Sequence, residues 1–451
     1  MTSEFFEKKH ASRALVFGGG GAKGAYEIGV WKALEQLEYV PDILTGTSVG
    51  ALNGALYILG NVKDAENMWK QIETGSILDV HMPLSIESFA DYRQTLTGFL
   101  IKIIREQGLS SKPLEKLIHT YIDNESKIRN SGMTFGLSTT NLKTRKIEYF
   151  FLEDIPEGKL NDYLLASSSL YPAIQKKVID GVPYIDGGYQ NRMPIEMALQ
   201  KKPEQMIIVD IKGPGLFSSH YRTGDCDSLL ISTKWPLGDM LLFDKRRTEV
   251  NIQLGYYDTL KLGEPDQYGG LWYTFNRGSL REEQEQFYLA LYELLTGERS
   301  RALYNYISKE EHQLPMLKDL NRRWRDTITK SNIALAVMEL TGKTLNILPD
   351  QLYTVADFQE KILRRIKKMQ AENKLTSIEE FQPRFVLSGK EWSEEFLESL
   401  PLLSNRALML QLLERLENDS FDWEVSWHRL LIRTRPFPFV MALYLKYLLS
   451  K

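Results

Sequence analysis

Cysteine is all but missing from this chain of 451 residues: Cys226 stands alone. A single thiol excludes an internal disulfide framework, and the chain is compatible with a reducing compartment. The thiol sits in Gly224-Asp225-Cys226-Asp227, where acidic neighbours raise its pKa and make it a poor nucleophile. Excess charge is missing too. A net charge of −3 offers no general attraction to nucleic acid. Long apolar runs are absent. Met1 to Arg13 is charged and lacks the apolar centre of a signal peptide, and no run reaches the length that spans a bilayer. The longest apolar patch, Phe437 to Leu445, ends at Lys446. These absences point to a cytoplasmic protein, with peripheral contact at a membrane surface left open. Histidine is scarce: there are 6, none in a catalytic motif. His220 falls in a polar loop, and His312 and His428 fall in a later helical region, so a Ser-His-Asp triad has no support.

What is present is the composition of a globular protein, 43% hydrophobic and 25% charged, enough for a sizeable core. The length suggests two domains, or one enlarged domain with an appendage. Near the start, the short apolar strand Ala14–Phe17 runs into the glycines Gly18 to Gly21, then Ala22-Lys23-Gly24. Val30, Trp31, Leu34 and Leu37 follow at helical spacing. Consecutive glycines carry a conformational entropy cost. They suit a place where backbone N–H groups approach a ligand at a helix N-terminus.

Three chemistries compete for this turn. Gly19-x-Gly21-x-x-Gly24 fits a dinucleotide fingerprint, with Glu38 or Asp42 near the distance of a ribose ligand. However, Pro41 and the immediate return to Gly46 leave little room for a second strand to present that acid. A phosphate-binding P-loop fails, because Lys23 is followed by Gly24 and not by Ser or Thr. The third chemistry is an oxyanion hole. It faces Gly46-Thr47-Ser48-Val49-Gly50, a G-x-S-x-G pentapeptide between the strand-like Asp42–Thr45 and the helical Ala51–Tyr57. Such a turn exposes a serine hydroxyl at the positive end of a helix, although ordinary strand–turn–helix links share the pattern. Asp186-Gly187-Gly188 ends an apolar strand. A D-G pair is most often only a turn, but here the carboxylate lies beside flexible backbone that can approach another loop.

Together the G-G-G-x-[KR]-G turn at Gly19 to Gly24, the G-x-S-x-G at Gly46 to Gly50 and the D-G-G at Asp186 to Gly188 resemble the patatin-like phospholipase family. The resemblance covers about residues 13 to 215. It implies an α/β layered fold with a mostly parallel central sheet. It also implies a serine acyl-hydrolase that cleaves fatty-acyl esters of phospholipids or other lipids. Ser48 is then the nucleophile and Asp186 the general base of a Ser–Asp dyad, with an acyl-enzyme intermediate. The amides of Gly19, Gly20 and Gly21, joined by that of Val49, form the oxyanion hole, and no metal or cofactor is needed. Gly18 stands where many members carry Asp. Lys23 reads as a solvated lysine on the first helical turn, and Asn191 as a residue that bonds backbone in the loop after Asp186. Two other functions stay open: a nucleotide-binding oxidoreductase built on the Gly-rich turn, and a non-catalytic lipid-binding protein on the same fold.

The remaining segments are read more coarsely. Trp69 to Ile122 is mostly helical, with a helix start at Ser111-Lys112-Pro113-Leu114, a capping serine followed by Pro in the first turn. Met133–Thr139 and Lys146–Leu152 are strands across a turn, and Asp162–Ser169 is a short helix. The expected organisation is an N-terminal tail (1–12), a catalytic domain (13–215), a helical extension (216–262) and a mainly α-helical C-terminal region (263–451). Gly263 to Gly270 serves as a linker. Helices are expected at Glu282–Leu295, Asn332–Leu340, Val355–Glu372, Trp392–Leu400, Arg406–Leu416 and Pro438–Leu449. In Val355–Glu372, Phe358, Ile362, Ile366 and Met369 share one face with Lys361, Arg364, Arg365, Lys367 and Lys368 around them. Such a helix can lie on an anionic membrane, but the reading preferred here packs the stripe into a core. Trp423, Trp427 and the Phe437–Leu445 patch have the same two options.

Overall fold

The structure is a computed structural model that describes residues 2–8, 11–79, 89–106, 108–213, 223–296, 310–371, 404–418, 430 and 433–451. The expected helix Trp392–Leu400, together with His220, His428, Trp423 and Trp427, lies outside the described residues. The chain divides into two compact units, the first running to Pro265 and the second starting at Asp266.

The first unit is built on an 8-stranded sheet. Its strands are β1 (Arg13–Phe17), β2 (Ile43–Thr47), β3 (Thr134–Asn141), β4 (Lys146–Phe151), β5 (Lys177–Ile179), β6 (Val182–Asp186), β7 (Gln205–Val209) and β8 (Asp227–Ile231). The order is β5-β6-β3-β2-β1-β7-β8, with β4 also paired to β3. β1, β2, β3, β7 and β8 run parallel, while β4 and β6 run antiparallel to β3. The fold is therefore α/β with a mostly parallel sheet. Every residue of β1, β2 and β7 is buried, as expected for parallel strands covered on both faces.

The helices of this unit are α1 (Thr2–Glu7), α2 (Ala25–Gln36), α3 (Val49–Leu59), α4 (Val62–Gln71), α5 (Thr74–Ile77), α6 (Phe89–Glu106), α7 (Lys112–Tyr121), α8 (Glu125–Arg129), α9 (Leu160–Ser167), α10 (Ile195–Leu199) and α11 (Lys245–Gly263). α2 and α11 cross very closely. A Cβ on Gly29 would lie 1.9 Å from the Ile252 carbonyl oxygen, and one on Gly255 would lie 1.9 Å from that of Tyr26. Only glycine permits that approach, and it clamps α2 in place.

Three expectations need correction here. The N-terminal tail is a helix, and its Phe5 is buried and stacked on Tyr39. The helical extension carries a strand: β8 pairs with β7 and continues the main sheet beyond residue 215. At the start of α7, Ser111 makes no capping bond; the Ser110 hydroxyl meets the Lys112 amide instead, at 3.3 Å.

The second unit is mainly helical, with helices Arg277–Thr296, Glu310–Trp324, Ile333–Thr344, Val355–Ala371, Asn405–Glu417 and Pro436–Ser450. Of these, Glu310–Trp324 had no counterpart in the sequence reading. The unit also holds a 3-stranded sheet of Tyr268–Gly269, Thr274–Asn276 and Leu352–Tyr353, so part of the expected linker is a strand. The Glu339 carboxylate is fully buried and accepts the amides of Leu271, Trp272 and Tyr273 and the Trp324 indole N–H, at 2.7–3.1 Å. Phe358, Ile362, Ile366 and Met369 are buried, as are Phe437, Phe439 and Leu443 to Leu445. Both apolar stripes thus belong to this unit's core. Among the described residues no helix is long and apolar enough to cross a membrane.

Candidate active site

The strands β1 and β2 end side by side, with Phe17 registered against Gly46. Beyond these ends lie the two glycine-bearing turns. The chain leaves β1 with β2 on one side and β7 on the other, and the crevice at such a switch point is where open α/β sheets bind ligands.

Ser48 follows β2 and precedes α3 with φ 57° and ψ −126°, a left-handed conformation that a side chain adopts only under strain. The turn is possible because α3 rests directly on the end of β1. A Cβ on Gly50 would lie 2.6 Å from the Phe17 carbonyl oxygen and 2.7 Å from that of Gly18. Gly46 sits beneath Gly50, and Gly24 packs against the Val49 side chain.

The partner arrives from β6. β3 acts as a splint: Thr47 of β2 is registered against Ser138, and Asp186 of β6 against the next residue, Thr139. Two strands that end on adjacent residues of a third bring their ends together. The Ser48 Oγ donates to Asp186 Oδ2 at 2.5 Å, within the range of short bonds from a hydroxyl to a carboxylate. The hydroxyl and the carboxylate are bonded directly, so no imidazole lies between them.

Burial pushes the Asp186 carboxyl up to about 6, against the opposing pull of the Ser48 hydroxyl and the Gly188 amide. The Gly188 amide donates to Asp186 Oδ1 at 2.7 Å, while Gly187 packs on Ser138 too closely for any side chain. Three bonds that sequence reasoning missed hold the pair. The Ser48 amide donates to Ser167 Oγ at 2.9 Å, Ser167 Oγ donates to the Ser138 carbonyl, and the Asp186 amide donates to the Ser169 carbonyl. Ser167 to Ser169 resemble any polar helix end, so the sequence carries no signal for this role.

The Gly-rich turn lies opposite. Gly21 has φ 57° and faces the Met240 carbonyl, and the Ala22 amide donates to that carbonyl at 2.8 Å. Among the described residues the amides of Gly20, Gly21 and Val49 have no backbone acceptor. The Gly19 amide differs from expectation: it donates to the Arg192 carbonyl at 2.8 Å, so it is already engaged. Lys23 is also not simply solvated. Its Nζ donates to the Lys212 carbonyl at 2.9 Å and burial lowers its pKa, tying the turn to the segment after β7. Asn191 does bond backbone, with its Oδ1 accepting the Met193 amide at 3.1 Å. Asp42, proposed for a ribose in the dinucleotide reading, accepts the Arg13 amide at the start of β1, the sheet end away from the turn.

Ser48 and Asp186 open onto a cleft. Its wall is almost wholly apolar: Leu52 and Leu56 from α3, Met68 and Trp69 from α4, and Leu114, Leu117, Ile118 and Tyr121 from α7. Met240, Leu241 and Phe243 complete it. Among the described residues, none but Asp186 brings a charge to it.

Residues 15–199 match the family model "Patatin-like phospholipase". That stretch contains the two glycine-bearing turns, the bonded Ser48–Asp186 pair and β3. Residues 15–199 are thus similar to a patatin-like phospholipase domain. Among similar proteins, the "Patatin-like phospholipase domain-containing protein 6" of Homo sapiens and of Mus musculus are each 28% identical over 209 residues. The "Lysophospholipase nte1" of Aspergillus terreus is 30% identical over 203 residues. In each case 44% of this chain is covered but only 12–13% of the relative. The patatin-like domain is thus the shared part of much longer proteins. A solved structure, "Crystal structure of VipD from Legionella pneumophila", covers 96% of this chain and 91% of its own, with a TM-score of 0.34 and 12% identity.

Proposed function

We propose that this protein is a serine acyl-hydrolase that cleaves fatty-acyl esters of lipids through a Ser48–Asp186 dyad. The observation that carries the proposal is the 2.5 Å bond between Ser48 Oγ and a buried Asp186 at the head of an apolar cleft. The names of the relatives, phospholipase and lysophospholipase, supply the substrate class.

The chemistry follows from the geometry. An acyl chain lies along the cleft, where burial of its methylenes contributes roughly 0.8 kcal/mol each. Asp186 takes the Ser48 proton as Oγ attacks the ester carbonyl. The resulting oxyanion is held by the amides of Gly20, Gly21 and Val49, each such donor contributing about 3–4 kcal/mol. Collapse expels the alcohol, which recovers the proton from Asp186 and leaves an acyl-Ser48. Water, deprotonated by Asp186, then attacks the acyl carbon; the acyl–Oγ bond breaks, the fatty acid leaves, and Asp186 returns the proton to Ser48 Oγ. A carboxylate near pKa 6 is a better base than an ordinary one. The donors nevertheless carry the larger share of the barrier lowering. Among the described residues Asp186 is the one charged group lining the cleft, so this reading places a charged headgroup outside it.

The test is hydrolysis of a short-chain p-nitrophenyl ester, and of a lysophospholipid, by wild type, Ser48→Ala and Asp186→Asn. Each variant is expected to lose at least about a hundredfold in kcat/KM. Wild-type turnover by either one removes that residue from the mechanism.

A further inference from the structure

The chemistry above makes no use of one fully buried carboxyl, that of Glu27. It lies in the first turn of α2, directly after the Gly-rich turn. Its Oε2 accepts from Asn53 Nδ2 at 2.8 Å, and the Gly18 amide is directed at the same carboxyl. Burial pushes its pKa well above the usual range, with only the Asn53 and Gly18 bonds opposing. Among the described residues its Oε1 has no hydrogen-bond partner. As a core residue, an acid with one oxygen unpaired is inferior to Leu or Met. Local rules are broken in this way mainly at functional sites.

What Glu27 holds is Asn53, which is also buried and belongs to α3. The Trp69 indole can only donate, and it donates to Asn53 Oδ1 at 3.0 Å. That bond turns the Asn53 amide nitrogen toward the Gly-rich side. There it donates to the Gly24 carbonyl at 3.0 Å as well as to Glu27. The Gly20 and Gly21 amides precede α2 and the Val49 amide opens α3. The bonds through Asn53 therefore span the two helix starts from which both halves of the oxyanion site arise.

We infer that Glu27 is a positioning residue: through Asn53 it sets the spacing between the amides of the Gly-rich turn and that of Val49, and with it the stabilisation of the oxyanion. This rests on the acyl-hydrolase function proposed above. Displacements well below the size of an atom are enough to weaken such donors.

The test compares full-length wild type, Glu27→Met and Glu27→Gln. It measures kcat and KM on p-nitrophenyl butyrate, the rate of Ser48 labelling by a fluorophosphonate, and Tm. Met fills the site without an acceptor for Asn53. It is expected to lower kcat and the labelling rate together by roughly tenfold or more, with KM within about twofold. Gln keeps an acceptor for Asn53 and is expected to restore most of the lost kcat. A purely structural role would lower Tm without this split and without rescue. Wild-type kcat in Glu27→Met, or a Gln variant as impaired as Met, overturns the inference. If Glu27→Met does not fold, Asn53→Ser breaks the same link from α3 and must show the same fall in kcat; wild-type kcat there overturns it equally. Adding Ser48→Ala to each background separates the two proposals. Turnover that survives Ser48→Ala refutes the hydrolase, whereas turnover that needs Ser48 but not Glu27 refutes only the positioning role.

Discussion

Asp186 is held in a state that disfavours its charge, and this has opposite consequences for activity and stability. Its pKa is pushed up to about 6 by burial, whereas in the unfolded chain it returns to about 3.9. Between these values the folded state binds the proton more tightly, so stability falls as pH rises from about 4 to about 6. Above about pH 6 the full penalty is present, on the order of 3 kcal/mol. Asp186→Asn can still accept from Gly188 and donate to Ser48. It is expected to raise the free energy of unfolding at pH 8 and to match wild type near pH 4, as measured by denaturant melts at both values. Activity has the opposite dependence. The base must be ionised, so kcat/KM is expected to fall about tenfold per pH unit below about pH 6. A flat profile down to pH 5 refutes Asp186 as the base.

At the scale of elements, the site depends on how closely α3 approaches the end of β1. Gly50 is the contact point, and a Cβ there meets the Phe17 and Gly18 carbonyl oxygens at 2.6 and 2.7 Å. Backbone cannot move aside as a flexible side chain does. Gly50→Ala is therefore expected to destabilise the first unit by about 3 kcal/mol. It should also abolish fluorophosphonate labelling, because the displaced helix carries Ser48 and Val49 with it. An unchanged Tm with normal labelling shows that the helix start has room to shift. β3 sets the other half of the geometry. By receiving β2 and β6 on adjacent residues, Ser138 and Thr139, it decides that Ser48 and Asp186 meet.

At the scale of the whole molecule, two units with separate cores are expected to unfold in separate steps. All described residues lining the cleft fall before Pro265, whereas Glu339 organises the second unit through four N–H donors. Glu339→Ala leaves those donors buried and unpaired, at about 1–3 kcal/mol for each group. Calorimetry is expected to show one transition lowered and the other unchanged, with hydrolysis of a short-chain ester retained. A single transition that shifts as a whole refutes independent cores.

Local chemistry made several strands, the glycine-bearing turns and many helices legible. Glycine runs can serve few purposes, β1 is a short apolar run, and Phe358, Ile362, Ile366 and Met369 repeat at helical spacing. On those grounds the sequence by itself determined the helical C-terminal region and the motifs containing Ser48 and Asp186, and the resemblance those motifs carry implied the α/β layer. It carried no such signal for β8, which is half polar and lies at the sheet edge, or for the helix Glu310–Trp324, whose pattern is interrupted by charge. Nor could it show that the Gly19 amide is taken by Arg192, that Ser167 clamps the nucleophile, or that Glu27 reaches Asn53. Those facts belong to contacts between residues far apart in the chain, which side-chain type and spacing do not encode. Only the packing of strands and helices brings such groups within hydrogen-bonding distance, and only there does burial set the charge state of Asp186.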